Sequence, residues 1–283
     1  MTFYKKLSSI MTTQKSLLCV GLDSDVNRLP KGIRKNKYPQ FAFNKRIIDA
    51  THDFVCAYKP NSAFYEARGE QGIIELKMTC DYLHKKYPDI VIILDAKRAD
   101  IGNTNNCYVS FIFDYLGVDA VTLHPYLGRN AIQPFLDRKE KGSIILCRTS
   151  NPGAGEFQDL LLNKSQSSEA LTKEGRPLYQ IIAEEVVQKW NTNNNCALVV
   201  GATYPEELKI VRRIAKNMPF LIPGIGVQGG NIEKTVKAGL DSHGAGMIIN
   251  ISRSAIFASS KADFAQKARK KAISFSDQIN QYR

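Results

Sequence analysis

Only one tryptophan, four histidines and five methionines occur in the 283 residues, and the six cysteines stand apart with no C-x-x-C pair. Such spacing offers neither a disulfide framework nor a zinc site. Four of the six (Cys19, Cys56, Cys147 and Cys196) fall in apolar, strand-like runs, where a reduced thiol behaves as a small hydrophobe. A reducing compartment, the cytosol, is therefore expected. His52 and His84 lie in helical segments and His243 in a Gly-rich turn. His124 sits at a strand end, where a hydrogen-bonded core histidine is the plainer reading. No H-x-x-x-H pair or clustered carboxylate set suggests a metal, and none is expected. Long apolar runs are missing too, so no membrane span is predicted, and Met1-Thr2-Phe3-Tyr4-Lys5-Lys6-Leu7 has no apolar signal core. Phe3, Leu7, Ile10 and Met11 instead predict one stripe of a short helix within residues 1–15.

Acidic residues are outnumbered: 27 Asp and Glu face 39 Lys and Arg, a net charge of +12 and a sequence pI near 9.4. Short basic runs occur at Lys31–Lys37 and Lys267–Lys271, but no aromatic interleaving or nucleic-acid motif accompanies them. A basic nucleic-acid-binding module is thus the weaker reading, and a solvated basic surface that draws in an anionic substrate is the stronger one.

What the chain does have is alternation. Eight short apolar runs recur: Leu17–Leu22, Phe54–Tyr58, Ile90–Leu94, Ala120–Leu123, Ser143–Cys147, Ala197–Val200, Phe220–Ile222 and Gly246–Ile251. Segments of helical period separate them. Their predicted buried stripes are Ile73/Leu76/Cys80/Leu83, Tyr108/Phe111/Ile112/Tyr115/Leu116, Leu178/Ile181/Ile182/Val186 and Leu208/Val211/Ala215. The lone Trp190 is expected on a helix face. Eight strands with crossover helices in this length predict an α/β protein, a single (β/α)8 barrel domain over residues 1–283. Residues 151–175 form one unusually long polar connection after the fifth run, on the face where barrels carry their sites. A lid loop is the expectation there.

Polar residues gather where the runs end. The densest group is Asp95-Ala96-Lys97-Arg98-Ala99-Asp100-Ile101-Gly102-Asn103-Thr104. Residues two apart on a strand share a face, so Asp95 and Lys97 should project together, with Asp100 just beyond on the loop. Charges of both signs at a buried strand end are expensive unless they hold each other or do chemistry. Other run ends supply Asp23, then Lys59-Pro60-Asn61, and Arg148-Thr149-Ser150-Asn151-Pro152. After the seventh run comes Pro223-Gly224-Ile225-Gly226-Val227-Gln228-Gly229-Gly230, and after the eighth Asn250-Ile251-Ser252-Arg253-Ser254. Glycines admit an anion close to backbone N–H groups, and these two loops are the recurrent phosphate cradle of barrels. The D-x-K-x-x-D spacing alone leaves three chemistries open: a metal-free decarboxylase, a Mg²⁺-dependent sugar-phosphate decarboxylase or synthase, and a Schiff-base aldolase using Lys59 or Lys97.

Together these motifs resemble the orotidine 5′-phosphate decarboxylase family across almost the whole chain. The carriers are Gly21-Leu22-Asp23, Lys59-Pro60-Asn61, the 95–104 block, Arg148 to Gly153, Pro223 to Gly226 with Gln228, and Ser252-Arg253. The pattern is similar to the longer-loop branch of that family; Ala99 stands where many members carry Gly. The resemblance implies conversion of orotidine 5′-phosphate (OMP) to UMP and CO₂ without a cofactor, by a homodimer with shared active sites. It implies a charged set of Lys59, Asp95, Lys97 and Asp100, with Lys97 protonating the C6 carbanion. Asp100 and Thr104 would reach the partner's site. Asp23 and Asn61 would hold the ribose side, Ser150 the pyrimidine edge, and Gln228 and Arg253 the phosphate, with Pro223 beside them. Some relatives carry a fused orotate phosphoribosyltransferase, for which these 283 residues leave no room.

Overall fold

A computed structural model describes residues 1–162, 175–226 and 229–283. Eight parallel strands close into a barrel: β1 Leu18–Gly21, β2 Ala57–Lys59, β3 Val91–Arg98, β4 Ala120–Leu123, β5 Gly142–Arg148, β6 Cys196–Val200, β7 Phe220–Ile222 and β8 Met247–Ile251. Each pairs with its neighbours in chain order, and β1 closes the ring on β8 through Leu18↔Ile249 and Val20↔Ile251. The strands read as unbroken apolar runs because both faces are covered, one by the barrel interior and one by helices. All eight predicted runs are strands, though β2 begins later than its run and β3 continues to Arg98.

The helix Phe3–Thr13 buries Phe3, Leu7, Ile10 and Met11, as the spacing predicts. It lies across the starts of β4 to β6: Phe3 N–H donates to Glu140 O at 2.9 Å, Lys6 pairs with Asp119 at 2.8 Å, and Tyr4 Oη donates to Cys196 O. Leu208, Val211 and Ala215 likewise face inward from Pro205–Ala215, and Leu76, Cys80 and Leu83 from Gly69–Lys86, where Ile73, expected on the same stripe, is only half-buried.

Two helical stripes are rotated from expectation. Gly102–Val109 runs into a π-turn, Ser110–Tyr115, whose wider winding buries Val109, Ile112, Phe113 and Leu116 and leaves Tyr115 exposed. After Leu178–Glu185 a second π-turn, Val186–Trp190, anchors Trp190 in the core, so Tyr179, Ala183 and Val186 face inward while Ile181 and Ile182 are half-buried.

The connection after β5 is more ordered than a plain loop. Pro152–Ala154 and Gly155–Gln158 make helical turns, and Leu161–Leu162 pairs antiparallel with Arg176–Pro177. The buried Arg148 guanidinium secures it, donating to Asp159 at 3.0 Å and to Gln158 Oε1 at 3.3 Å and stacking 3.8 Å over the Tyr204 ring. The middle of the predicted lid, residues 163–174, lies outside the described residues. Among the described residues no helix is long and apolar enough to cross a membrane. The cysteines are free; five are buried and Cys107 is exposed.

Candidate active site

The carboxyl ends of β1, β2, β3 and β8 surround a cavity of about 170 Å³. Its charged centre is Asp95. Lys59, 4% exposed at the end of β2, sits 2.9 Å from Asp95 Oδ2, and Lys97 sits 2.6 Å from Oδ1. Asn61 Nδ2 donates to Oδ2 at 3.4 Å, and Thr122 Oγ1 donates to Oδ1 at 2.9 Å. Burial alone would raise the Asp95 pKa, but the two ammonium groups outweigh it and hold the carboxyl well below the usual range. Burial alone would lower the Lys59 pKa; Asp95 and Asp23 outweigh that and hold its ammonium above the ordinary lysine value. Asp95 and Lys59 are therefore both charged throughout the neutral range. Lys97, half exposed, is the cation at its open edge.

A bulge makes this grouping possible. Leu94 pairs with Val121 and Arg98 with Leu123, so Asp95, Ala96 and Lys97 stand opposite the single residue Thr122. Lys97 has φ of +47°, a left-handed conformation that non-glycine residues rarely adopt and that recurs at functional sites.

Asp23, beyond β1, accepts a hydrogen bond from Ser252 on Oδ2, while its buried Oδ1 has no partner among the described residues and is an open acceptor on the cavity wall. Gly21 lets the strand ends meet, since a Cβ there would lie 2.8 Å from Ser252 Cβ. Tyr65 steadies the same turn by donating to Leu22 O at 2.9 Å. Asn250 also lines the cavity; it accepts from Cys19, whose thiol burial pushes up to about 12 and so keeps protonated.

On the opposite wall are Pro223, Gly224 and Ile225, followed by Arg253 and Ser254. Gly224 and Gly226 have φ of +106° and +95°, which glycine alone tolerates without strain. Among the described residues Arg253 forms no ion pair, which leaves a cation facing the cavity. Gln228, the other predicted phosphate ligand, lies outside the described residues.

Lys97 is not itself part of the cavity lining and joins the site through Asp95; three further predicted site residues stand apart from the cavity. Asp100 Oδ1 accepts from Ile101 N–H at 2.7 Å, and its own N–H donates to Asn105; among the described residues no contact joins its carboxylate to Lys97. Thr104 is exposed on the helix that follows. Ser150 lies against Gly201, where a Cβ would come within 2.8 Å of Ser150 Cβ, and is not on the cavity wall. Sequence reasoning missed Asn250 and Thr122 as site residues; each is a polar side chain interrupting an apolar run, which is the signal that could have found them. Ser252 and Ser254 were read only as part of the phosphate cradle after the eighth run. His124 donates to or accepts from nothing in the cavity; its Nε2 meets Ala99 O at 3.1 Å. Among the described residues no three His, Cys, Asp or Glu side chains come together as a ligand set.

Residues 16–268 match the family model described as orotidine 5′-phosphate decarboxylase / HUMPS family. The chain is 47% identical over 282 residues to the orotidine 5′-phosphate decarboxylase of Janthinobacterium sp. (strain Marseille), covering 100% of this chain and 99% of that one. It is 46% identical to the orotidine 5′-phosphate decarboxylase of Cellvibrio japonicus, covering 99% and 98%. Among solved structures, it superposes on Leishmania donovani OMP decarboxylase with a TM-score of 0.82 at 34% identity, covering 99% of both chains. Leishmania donovani UMP synthase gives 0.83 at 35% identity, with 57% of that longer chain covered.

Proposed function

The chain belongs to the orotidine 5′-phosphate decarboxylase / HUMPS family, and on that premise we propose that it converts OMP to UMP and CO₂. The observation that carries the reading is a buried carboxylate held between two ammonium groups, one inside and one at the open edge, beside a cavity also lined by an arginine that has no ion pair among the described residues.

Breaking the C6–carboxylate bond leaves its electron pair in the plane of the pyrimidine ring, where no π-system accepts it. A fixed cation beside C6 stabilises that charge without reorganising, which is the larger part of the catalysis. Lys97 is that cation. Its Nζ gives a proton to C6 as or after CO₂ departs, and water restores the ammonium. Asp95 holds Lys97 in place, and Lys59 keeps Asp95 charged. Arg253 binds the 5′-phosphate with backbone N–H groups of the Gly224–Gly226 loop and with Gln228; Pro223 packs beside it. Asp23, through its open Oδ1, and Asn61 take the ribose hydroxyls, and Ser150 the pyrimidine edge. Phosphate binding, remote from C6, supplies binding energy that is expressed in the transition state.

In this reading Asp100 and Thr104, which do not line their own cavity, complete the site of a second copy, so the working unit is a homodimer. The 283 residues act as one decarboxylase domain with residues 151–175 as its lid, and the enzyme supplies UMP in pyrimidine biosynthesis in the cytoplasm. The test is direct. Purified protein mixed with OMP should deplete its ultraviolet absorbance and yield UMP, equally with and without EDTA. Loss of activity in EDTA points instead to a metal-dependent relative, and trapping by borohydride to a Schiff-base lysine.

A further inference from the structure

We propose that Thr122 is a positioning residue for this reaction, its hydroxyl joining the Lys97 backbone to the Asp95 carboxylate in one three-way hydrogen-bond node. The inference rests on the decarboxylase reading above. In the bulge, the N–H groups of Ala96 and Lys97 have left the β3–β4 ladder, and both donate to Thr122 Oγ1 at 3.0 Å. The same hydroxyl donates its one proton to Asp95 Oδ1 at 2.9 Å, the oxygen that also accepts from Lys97 Nζ. A hydroxyl has one proton and two lone pairs, so this node is saturated. It is also buried, with Thr122 1% exposed.

The arrangement determines two things together. Two backbone donors bound to one acceptor hold Lys97 in its left-handed conformation, which orients the side chain. The donated proton fixes the rotation of the Asp95 carboxylate against the pull of Lys59 on the other oxygen. A strained backbone persists only when its surroundings over-determine it, and among the described residues Thr122 is the side chain that contacts both halves of the bulge. Valine has the same shape and branching but can do neither.

The experiment compares Thr122→Val with Thr122→Ser. Loss of hydrogen bonds to a charged group and to backbone predicts a kcat about 10- to 100-fold lower for Thr122→Val, with UMP affinity within about twofold of wild type. Thr122→Ser, which keeps the hydroxyl, should restore kcat to within about threefold. A Thr122→Val kcat within twofold of wild type overturns the proposal. So does equal loss in both variants, or a fall in UMP affinity parallel to the fall in kcat, since either marks a packing role. A crystal structure of Thr122→Val gives a readout independent of turnover: Lys97 should leave its left-handed conformation or its contact with Asp95, and unchanged geometry refutes the node. Wild-type protein that leaves OMP untouched, by contrast, counts against the reaction and leaves the structural readout standing.

Discussion

Replacing Lys97 with alanine removes the group on which the proposed chemistry depends while leaving most of its surroundings intact. Lys97 is half exposed, and Asp95 keeps the buried Lys59, Asn61 and Thr122 around it. The fold should therefore lose no more than about 1 kcal/mol, the scale of a solvent-screened ion pair. Catalysis should lose far more. An ammonium about 3 Å from a developing anion, at an effective dielectric near 20, contributes on the order of 5 kcal/mol, or roughly four powers of ten in rate. Removing the proton donor takes about another 10²- to 10⁴-fold. Lys97→Ala should thus lower kcat by about 10⁶- to 10⁸-fold, with UMP affinity changed only a few-fold. Stopped or quenched single-turnover assays measure the first quantity and calorimetry the second. Lys97→Gly is an informative companion: because φ is +47°, glycine should be at least as stable as alanine there by thermal melting, though equally inactive. Turnover by Lys97→Ala within tenfold of wild type refutes the reasoning.

Arg253→Ala should raise KM at least tenfold and lower kcat/KM further, because one charge-assisted contact to the phosphate is lost; unchanged constants contradict the phosphate assignment. Mixing Lys97→Ala with Asp100→Ala subunits should recover part of the activity, since some sites then draw an intact set from both chains, and no recovery argues against shared sites. Lys59→Met should destabilise the protein by about 3 kcal/mol, as expected when one partner of a buried pair is removed. The pH dependence of that difference has a definite form. The depressed Asp95 pKa gives a contribution complete above the ordinary carboxyl value near 4 and lost as pH falls through the lower folded one. The raised Lys59 pKa gives one complete below about 10 and lost as pH rises through the higher folded value. The melting-temperature gap between wild type and Lys59→Met should be flat between pH 5 and 9, roughly the window between those two values; a slope inside it contradicts the charge assignment.

Much of this protein is legible in its residues. Strand runs such as Ala120–Leu123 need both faces buried, which only a parallel sheet under helices provides, and so the barrel follows from their number and spacing. The Asp95–Lys97 pair follows from strand period. Helix faces are harder: Leu178/Ile181/Ile182 and Tyr179/Ala183/Val186 both step by three and four, and only the three-dimensional anchoring of Trp190 in a π-turn decides between them. The bulge at Ala96 was not legible, because nothing local marks three residues opposing one; Thr122 acquires its contacts only through that non-local register. Asp100 and Thr104 show a different limit, since within one chain they do not line the cavity and their proposed role needs a second copy.

The most direct test of the central claim follows ¹⁴CO₂ release from carboxyl-labelled OMP by wild-type and Lys97→Ala protein side by side, each in EDTA. The account predicts one CO₂ per UMP from wild type at an undiminished rate, and release near background from the variant. Wild-type protein that releases none, or a variant that releases CO₂ as fast, contradicts it.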